Sequence, residues 1–513
     1  MNPSVSDIPP SDMADDTGFA TRVRSALAWR WGSMILAQSI TWASTLAVVR
    51  LLDPSDYGLF AMTQVVLAAL AFLNGYGFAT SLIQADKVDE RRIGQVFGML
   101  ILLNAGLATA QVMLAPTAAI YFGQPEIEQM LYVQAAFYLC TPFIALPSAL
   151  LARQIKFKAQ GLVNLICACV GAITALTLAW IGFGVWALVY APIAMFGTRA
   201  LGLTIAAKLL VWPVFNFRGA GDIVSFGGAL TICQLFWIIQ SQSDIFIAGR
   251  AFDTHDLGLY SEALFLILIV TGRFLPPINE VAFPAYAELH KAGKPLAPYF
   301  LRTLRTVLLV TAPIYLGFAL VADAAVLTLF GDKWAEMSPI AAGLALAMPA
   351  MAIQIVCSPA TNAMGKPSIY LLTSITGAVL FSACFMWGIA SGPMGLVQAW
   401  WIAAPLLLFV TLALTLPVVG LAPGELLTEL FPIGFASAAM WLAVTWVQQA
   451  FADLTPAAEL LVIVPIGAFI FGAILWLLWP DVVRQTWTML RNDKSADPNV
   501  TVGPASAADA SAT

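Results

Sequence analysis

Residues 50–60 read RLLDPSDYGLF, and residues 250–260 read RAFDTHDLGLY. Arg50, Asp53, Asp56, Gly58 and Leu59 recur as Arg250, Asp253, Asp256, Gly258 and Leu259, always 200 residues apart. Each copy follows one long apolar run and leads into another. Asp-x-x-Asp-x-Gly is turn chemistry. It predicts a tight turn in which Asp56 or Asp256 accepts backbone N–H groups at the start of the next helix. A calcium loop would need more acids than the motif carries. Looser matches extend the repeat: Phe122-Gly123 with Phe330-Gly331, and Gly182-Phe183-Gly184 with Gly392-Pro393-Met394-Gly395. Self-similarity at a fixed offset predicts a duplicated unit.

The runs around the motif identify the solvent. Hydrophobic residues make up 60% of the 513, charged residues only 10%, and the mean hydropathy is +0.85. Soluble domains carry roughly 25% charged residues, so a water-soluble enzyme and a disordered chain are both excluded. A net charge of -5 gives nucleic-acid binding no support. The 2 His argue against a His-based metal site, and no cofactor is expected. The 6 Cys (Cys140, Cys167, Cys169, Cys233, Cys357, Cys384) sit in apolar stretches and read as small buried hydrophobes. GxxxxGK[ST] is absent, which argues against ATP hydrolysis.

A helix needs ~20 apolar residues to cross a bilayer. The apolar runs are long and do not alternate, which disfavours strands. The expectation is an all-α polytopic membrane protein of about fourteen spans. They fall at 28–49, 59–83, 94–120, 130–151, 162–181, 185–203, 223–249, 257–281, 307–330, 340–359, 369–389, 395–416, 432–447 and 457–479. Placing the N-terminus in the cytoplasm puts Arg50, Arg250 and Lys333 outside and Arg273 within a span. The rest of the 24 Lys and Arg fall inside, so the positive-inside rule puts both termini in the cytoplasm. An offset of six helices returns each repeat to the same side, giving parallel repeats. The predicted units are a disordered tail (1–25), two pseudo-symmetric six-helix lobes (26–210 and 222–417), two C-terminal helices (431–479) and a second tail (480–513). No apolar leader precedes the first span.

Paired six-helix units are a transporter architecture. RLLDPSDYGLFAM after the first span and PPINEVAFPAYAEL (276–289) resemble the polysaccharide transporter family. That family belongs to the multidrug/oligosaccharidyl-lipid/polysaccharide exporter superfamily. The resemblance covers about residues 20–480. It implies a V-shaped bundle that alternates between two openings and is not an enzyme. It also implies an undecaprenyl-diphosphate-linked oligosaccharide as cargo, moved between leaflets of the cytoplasmic membrane for surface or exopolysaccharide synthesis. Membrane lipid and polysaccharide polymerase machinery are the other partners it suggests.

Polar residues inside spans are costly, hence informative: a charge at a helix centre costs ~2.5–3.5 kcal/mol. Gln234, Trp237, Ser241 and Asp244 follow at spacings of 3, 4 and 3, one face of a helix. Arg273 and Glu280 are seven apart around Pro276-Pro277, which should kink or break their helix. Lining a cavity, Arg273 would bind a diphosphate or acidic sugar as a bidentate donor. Asp244 and Glu280 are candidates for coupling to an ion gradient. The structural alternatives are an Arg273–Asp244 pair, or acids near the headgroups. Arg30 sits at the cytoplasmic entrance, as cavity residue or headgroup contact, and Gln38, Thr41 and Thr45 share a face suited to sugar hydroxyls. Under the repeat, Ser44 takes the place of Asp244, so ion coupling is expected in the second half.

A cation-coupled drug antiporter of the same superfamily is the first alternative. Such relatives place an acid in the first span, and none occurs here between Asp16 and Asp53. A membrane polysaccharide polymerase is the second, and it would carry a large outside loop.

Overall fold

The computed structural model describes residues 16–71, 73–74, 90–154, 157–208, 211–216, 221–451 and 454–484. The expected tails fall outside these residues at 1–15 and 485–513, as do the side chains of Arg30, Cys233 and Gln234. Among the described residues every long element is a helix. In chain order they are α1 (Asp16–Leu51), α2 (Pro54–Ala71), α3 (Glu90–Phe122) and α4 (Glu126–Arg153). Then come α5 (Phe157–Trp180), α6 (Val185–Ala207), α7 (Gly221–Ala251), α8 (Thr254–Lys291) and α9 (Ala297–Leu320). The series ends with α10 (Met337–Ala363), α11 (Pro367–Gly388), α12 (Gly392–Val419), α13 (Pro423–Ala450) and α14 (Pro456–Leu478). Each expected span has its helix. Among the described residues eleven segments are long and apolar enough to cross a membrane, one of them covering both α11 and α12. The protein is a multi-pass, all-α membrane protein.

Where the helices differ from expectation, polar ends explain it. Helical backbone satisfies its own N–H and C=O groups, so a helix need not stop where its apolar run stops. α8 continues ten residues past Val281 to Lys291, and α13 starts nine residues ahead of Pro432. α1 begins at Asp16, inside the stretch expected to be a disordered tail. No proline follows until Pro54, so nothing in this stretch stops the helix. The expected ninth span divides: α9 ends at Leu320 and a short helix, Ala322–Leu329, carries on. α9 starts early at Ala297, because Arg305, 6% exposed, has a partner in Glu429 of α13 at 2.8 Å. Pro276-Pro277 does not break α8, which runs unbroken through both and through Pro284.

The loops after α1, α3, α5, α7 and α9 gather at one end of the bundle, here the loop end. At the other end Val214, following α6, donates to the Gly94 carbonyl at the start of α3 at 2.8 Å. α1 packs on α5 as α7 packs on α11, and α5 on α6 as α11 on α12. These packings follow the sequence repeat. Between the halves, α2 lies against α8. A Cβ on Gly58 would land on the Thr254 carbonyl, and one on Gly258 on the Pro54 carbonyl. The recurring glycine is therefore where the two copies touch. Cys140, Cys167, Cys169, Cys357 and Cys384 are free thiols.

Candidate functional site

Each copy of the motif shows one half of a capping box. Asp253 Oδ1 accepts the Asp256 N–H at 2.8 Å, and Asp56 Oδ2 accepts the Asp53 N–H at 3.2 Å. In the second copy the first acid, Asp253, is thus the helix cap, where Asp256 was the expected acceptor. Each copy also reaches into the opposite half. The Arg50 guanidinium donates to the Leu329 carbonyl at 3.0 Å and to the Thr328 carbonyl. Arg250 lies over the Tyr121 ring, 5.1 Å from its centroid. Leu329 and Tyr121 each precede a Phe-Gly pair of the repeat, so the two latches are equivalent. Lys333 reaches Asp53 at 2.8 Å, and the fully buried Trp334 indole donates to the Val49 carbonyl at 3.0 Å. The halves are joined at the loop end.

Asp244 is 2% exposed and does not pair with Arg273. Its Oδ2 accepts the Tyr260 hydroxyl at 3.0 Å and its Oδ1 the Ile245 N–H at 2.8 Å. Trp400 Nε1 in turn donates to the Tyr260 oxygen at 2.9 Å, with Phe381 packed on Trp400. This ties α7, α8 and α12 together. Depth forbids the alternative of an Arg273 pair: at 1.5 Å per residue, Asp244 is about 10 Å from the loop end of α7 and Arg273 about 28 Å along α8. Trp237 is 50% exposed, so it does not share Asp244's surroundings.

Sequence reasoning missed Glu262. It projects from α8 into a cavity of about 310 Å³ among α1, α2, α5 and α6, lined also by Thr41, Ser44, Thr45 and Tyr57. Of the expected residues, Thr41 lines this cavity; Gln38 and Asp244 do not. In the second half the positions of Ser44 and Phe60 are Asp244 and Tyr260, and aromatic rings fill the space around them. The halves are unequal at these equivalent positions, open in the first and filled in the second.

Eleven and eighteen residues after Glu262 come Arg273 and Glu280. At 100° per residue these return to within about 20° of the same direction. Arg273, Pro276, Pro277 and Glu280 are exposed, while Thr271, Leu275 and Ala282 behind them are buried. α8 thus carries a charged stripe on the face with which Glu262 meets the first half. The signal was legible: Glu262 is an acid within a predicted span, in helical register with the two charges already singled out.

Two packed, repeat-related sets of membrane helices with charges along the helix between them define a polytopic carrier fold. Residues 47–339 match the family described as "Polysaccharide biosynthesis protein", and the chain belongs to that family. It is 23% identical to the succinoglycan biosynthesis transport protein ExoT of Rhizobium meliloti (strain 1021), over 69% of this chain and 72% of that one. It is 20% identical to the lipopolysaccharide biosynthesis protein WzxC of Escherichia coli (strain K12), over 62% and 65%. The structure resembles that of the lipid II flippase MurJ in its inward closed conformation, with TM-score 0.72, 14% identity, and coverage of 89% and 99%. An inward-facing multidrug resistance MATE transporter follows at TM-score 0.59, 14% identity, and coverage of 75% and 98%. These likenesses show the fold.

Proposed function

We propose that this chain is a flippase that carries lipid-linked oligosaccharide units, of the polyprenyl-diphosphate type, across the cytoplasmic membrane by alternating access. The observation that carries the reading is the Glu262–Arg273–Glu280 stripe on α8. Hydrocarbon rejects such charges, so the stripe belongs to a wet cleft between two moving lobes, residues 26–210 and 222–417. In this reading the loop end is periplasmic and latched shut, both termini are cytoplasmic, and the cleft opens toward the cytoplasm. Arg273 offers a planar fork to the diphosphate. Glu280 stands nearer the entrance, and the lipid tail stays in the membrane. The names of the curated relatives, a transport protein among them, support cargo movement in place of catalysis.

Mass spectrometry of lipid-linked glycans in a deletion strain tests this. Complete repeat units should build up on the cytoplasmic face, and their normal turnover would refute the proposal. Single units on surface lipid would indicate a polymerase instead. A cation-coupled small-molecule antiporter is the second reading, favoured by the first-half cavity with an acid at its wall. It predicts drug efflux from proteoliposomes with no glycan phenotype.

A further inference from the structure

α8 and α9 form an antiparallel hairpin whose connection lies away from the loop end, and that connection is basic. Between Tyr286 and Arg302 the chain carries Lys291, Lys294 and Arg302 against one acid, Glu288. Among the described residues none of these three cations has an ion-pair partner. Arg305, three residues on, differs, being buried against Glu429. Arg302 is exposed and lines a groove of about 450 Å³ between the two helices.

The rest of the groove is largely apolar. Pro277, Val281, Ala285 and Leu289 line it from α8 at a spacing of four, which makes them one ridge. Val281 is 72% exposed, so no other described helix covers the ridge. Tyr299 and Thr303 line the groove from α9 beside Arg302. Their polar floor is already spent: the Tyr286 hydroxyl donates to Thr303 Oγ1 at 2.6 Å, and Thr303 to the Tyr299 carbonyl at 3.1 Å. The first of these bonds also sets the level of Arg302, opposite the turn of α8 that carries Tyr286. From Tyr286 back to Pro277 is about 14 Å of helix. One leaflet of hydrocarbon is about 15 Å, half of the bilayer core. The groove is therefore one leaflet deep, with cations at its headgroup side.

We propose that this groove holds an anionic diacyl phospholipid, with an acyl chain along the α8 ridge and the phosphate on Arg302. A guanidinium takes phosphate oxygens as a planar fork. Lys291 and Lys294 add attraction for an anionic headgroup. Tyr299, 43% exposed, stands where aromatic side chains meet headgroups. A polyprenyl chain matches less well, because it runs well beyond one leaflet. The seated chain fills the gap between α8 and α9 and braces the part of α8 that carries Arg273 and Glu280. Leaflet composition would then set how readily that helix tilts. This consequence rests on the transport reading, but lipid binding does not. A binding measurement therefore fails separately from a glycan assay.

The experiment uses the full chain, purified and delipidated in detergent. Phosphatidylglycerol and phosphatidylethanolamine with identical photoreactive acyl chains are crosslinked to it, and the adducts are mapped by peptide mass spectrometry. Thermal unfolding is followed in parallel. Phosphatidylglycerol should label residues 277–302 at about tenfold lower concentration than phosphatidylethanolamine, the scale of one charged hydrogen bond. It should also raise the unfolding temperature by about 2–4 °C. Arg302→Gln removes the charge and should erase the preference between the two lipids. Ala285→Trp fills the groove and should abolish labelling there by either lipid. Lys366→Gln, an exposed lysine at the same end but outside the groove, should change nothing. Equal labelling by both lipids in the wild type overturns the proposal, as does labelling that survives Ala285→Trp. Displacement of phosphatidylglycerol by an equal concentration of polyprenyl phosphate also overturns it and gives the groove to the tail of the cargo. If the variants fail to fold, the wild type decides alone: adducts spread evenly round the bundle overturn the proposal.

Discussion

Arg273 is exposed on a helix whose opposite side is buried, and its charge has no cheap place in hydrocarbon. Arg273→Ala should therefore lower transport of lipid-linked units about 10–100-fold, the range for losing a hydrogen bond to a charged group, with membrane levels unchanged. Arg273→Lys should recover part of this, since an ammonium keeps the charge and loses the fork. Complementation of a deletion strain with quantitative blotting measures both. Asp244 makes the contrasting case. Asp244→Asn keeps an acceptor for Tyr260 and loses one charged bond, so it should cost ~1 kcal/mol of stability and leave transport near wild type. A collapse of transport in well-folded Asp244→Asn would return ion coupling to the second half. Residue identity made Arg273 and Asp244 conspicuous in the sequence, yet it could not tell their surroundings apart. Asp244 is quenched by Tyr260 and Trp400, which lie 16 and 156 residues further on. Glu262 was passed over because one acid in a long apolar run carries no pattern until its register with Arg273 and Glu280 is counted.

At the scale of elements, α8 is the member on which both halves depend. Hydropathy located all the helices, because lipid demands long apolar runs. It misjudged where helices ended, because ion pairs such as Arg305–Glu429 let a helix continue beyond the oily layer. Glu429→Ala would remove one partner of Arg305, whose side chain is 7% exposed. Because Glu429 is one-third exposed, solvent tempers the loss, and we expect destabilisation of about 2 kcal/mol, read as a lower unfolding temperature. The glycine contact is a property of two elements at once. A side chain at Gly58 must displace the backbone of α8, so Gly58→Leu should open the loop end. Maleimide labelling of a cysteine placed at Val49 should then rise in Gly58→Leu and stay low without it.

For the whole molecule, the sequence repeat foretold the symmetric latches without showing that they cross over. An arginine in one copy grips the other half, which no single loop reveals. Cysteines at Asp53 and Lys333, bridged by a short bifunctional maleimide, should hold the loop end shut. Glycan export should stop on bridging, while each single cysteine variant exports normally. Export that persists through the bridge would mean that the loop end need not part.

The contact of Gly58 with Gly258 sets a mechanical scale. From Gly258 to the end of α8 at Lys291 is about 50 Å of helix at 1.5 Å per residue. If the contact serves as a fulcrum, a tilt of about 10° sweeps the far tip by roughly 9 Å, by the same rise. That is about a sugar ring's width gained from an angle small enough to leave the pivot's own packing intact. Removing two side chains at the hinge pin is thus enough to give a long lever its throw.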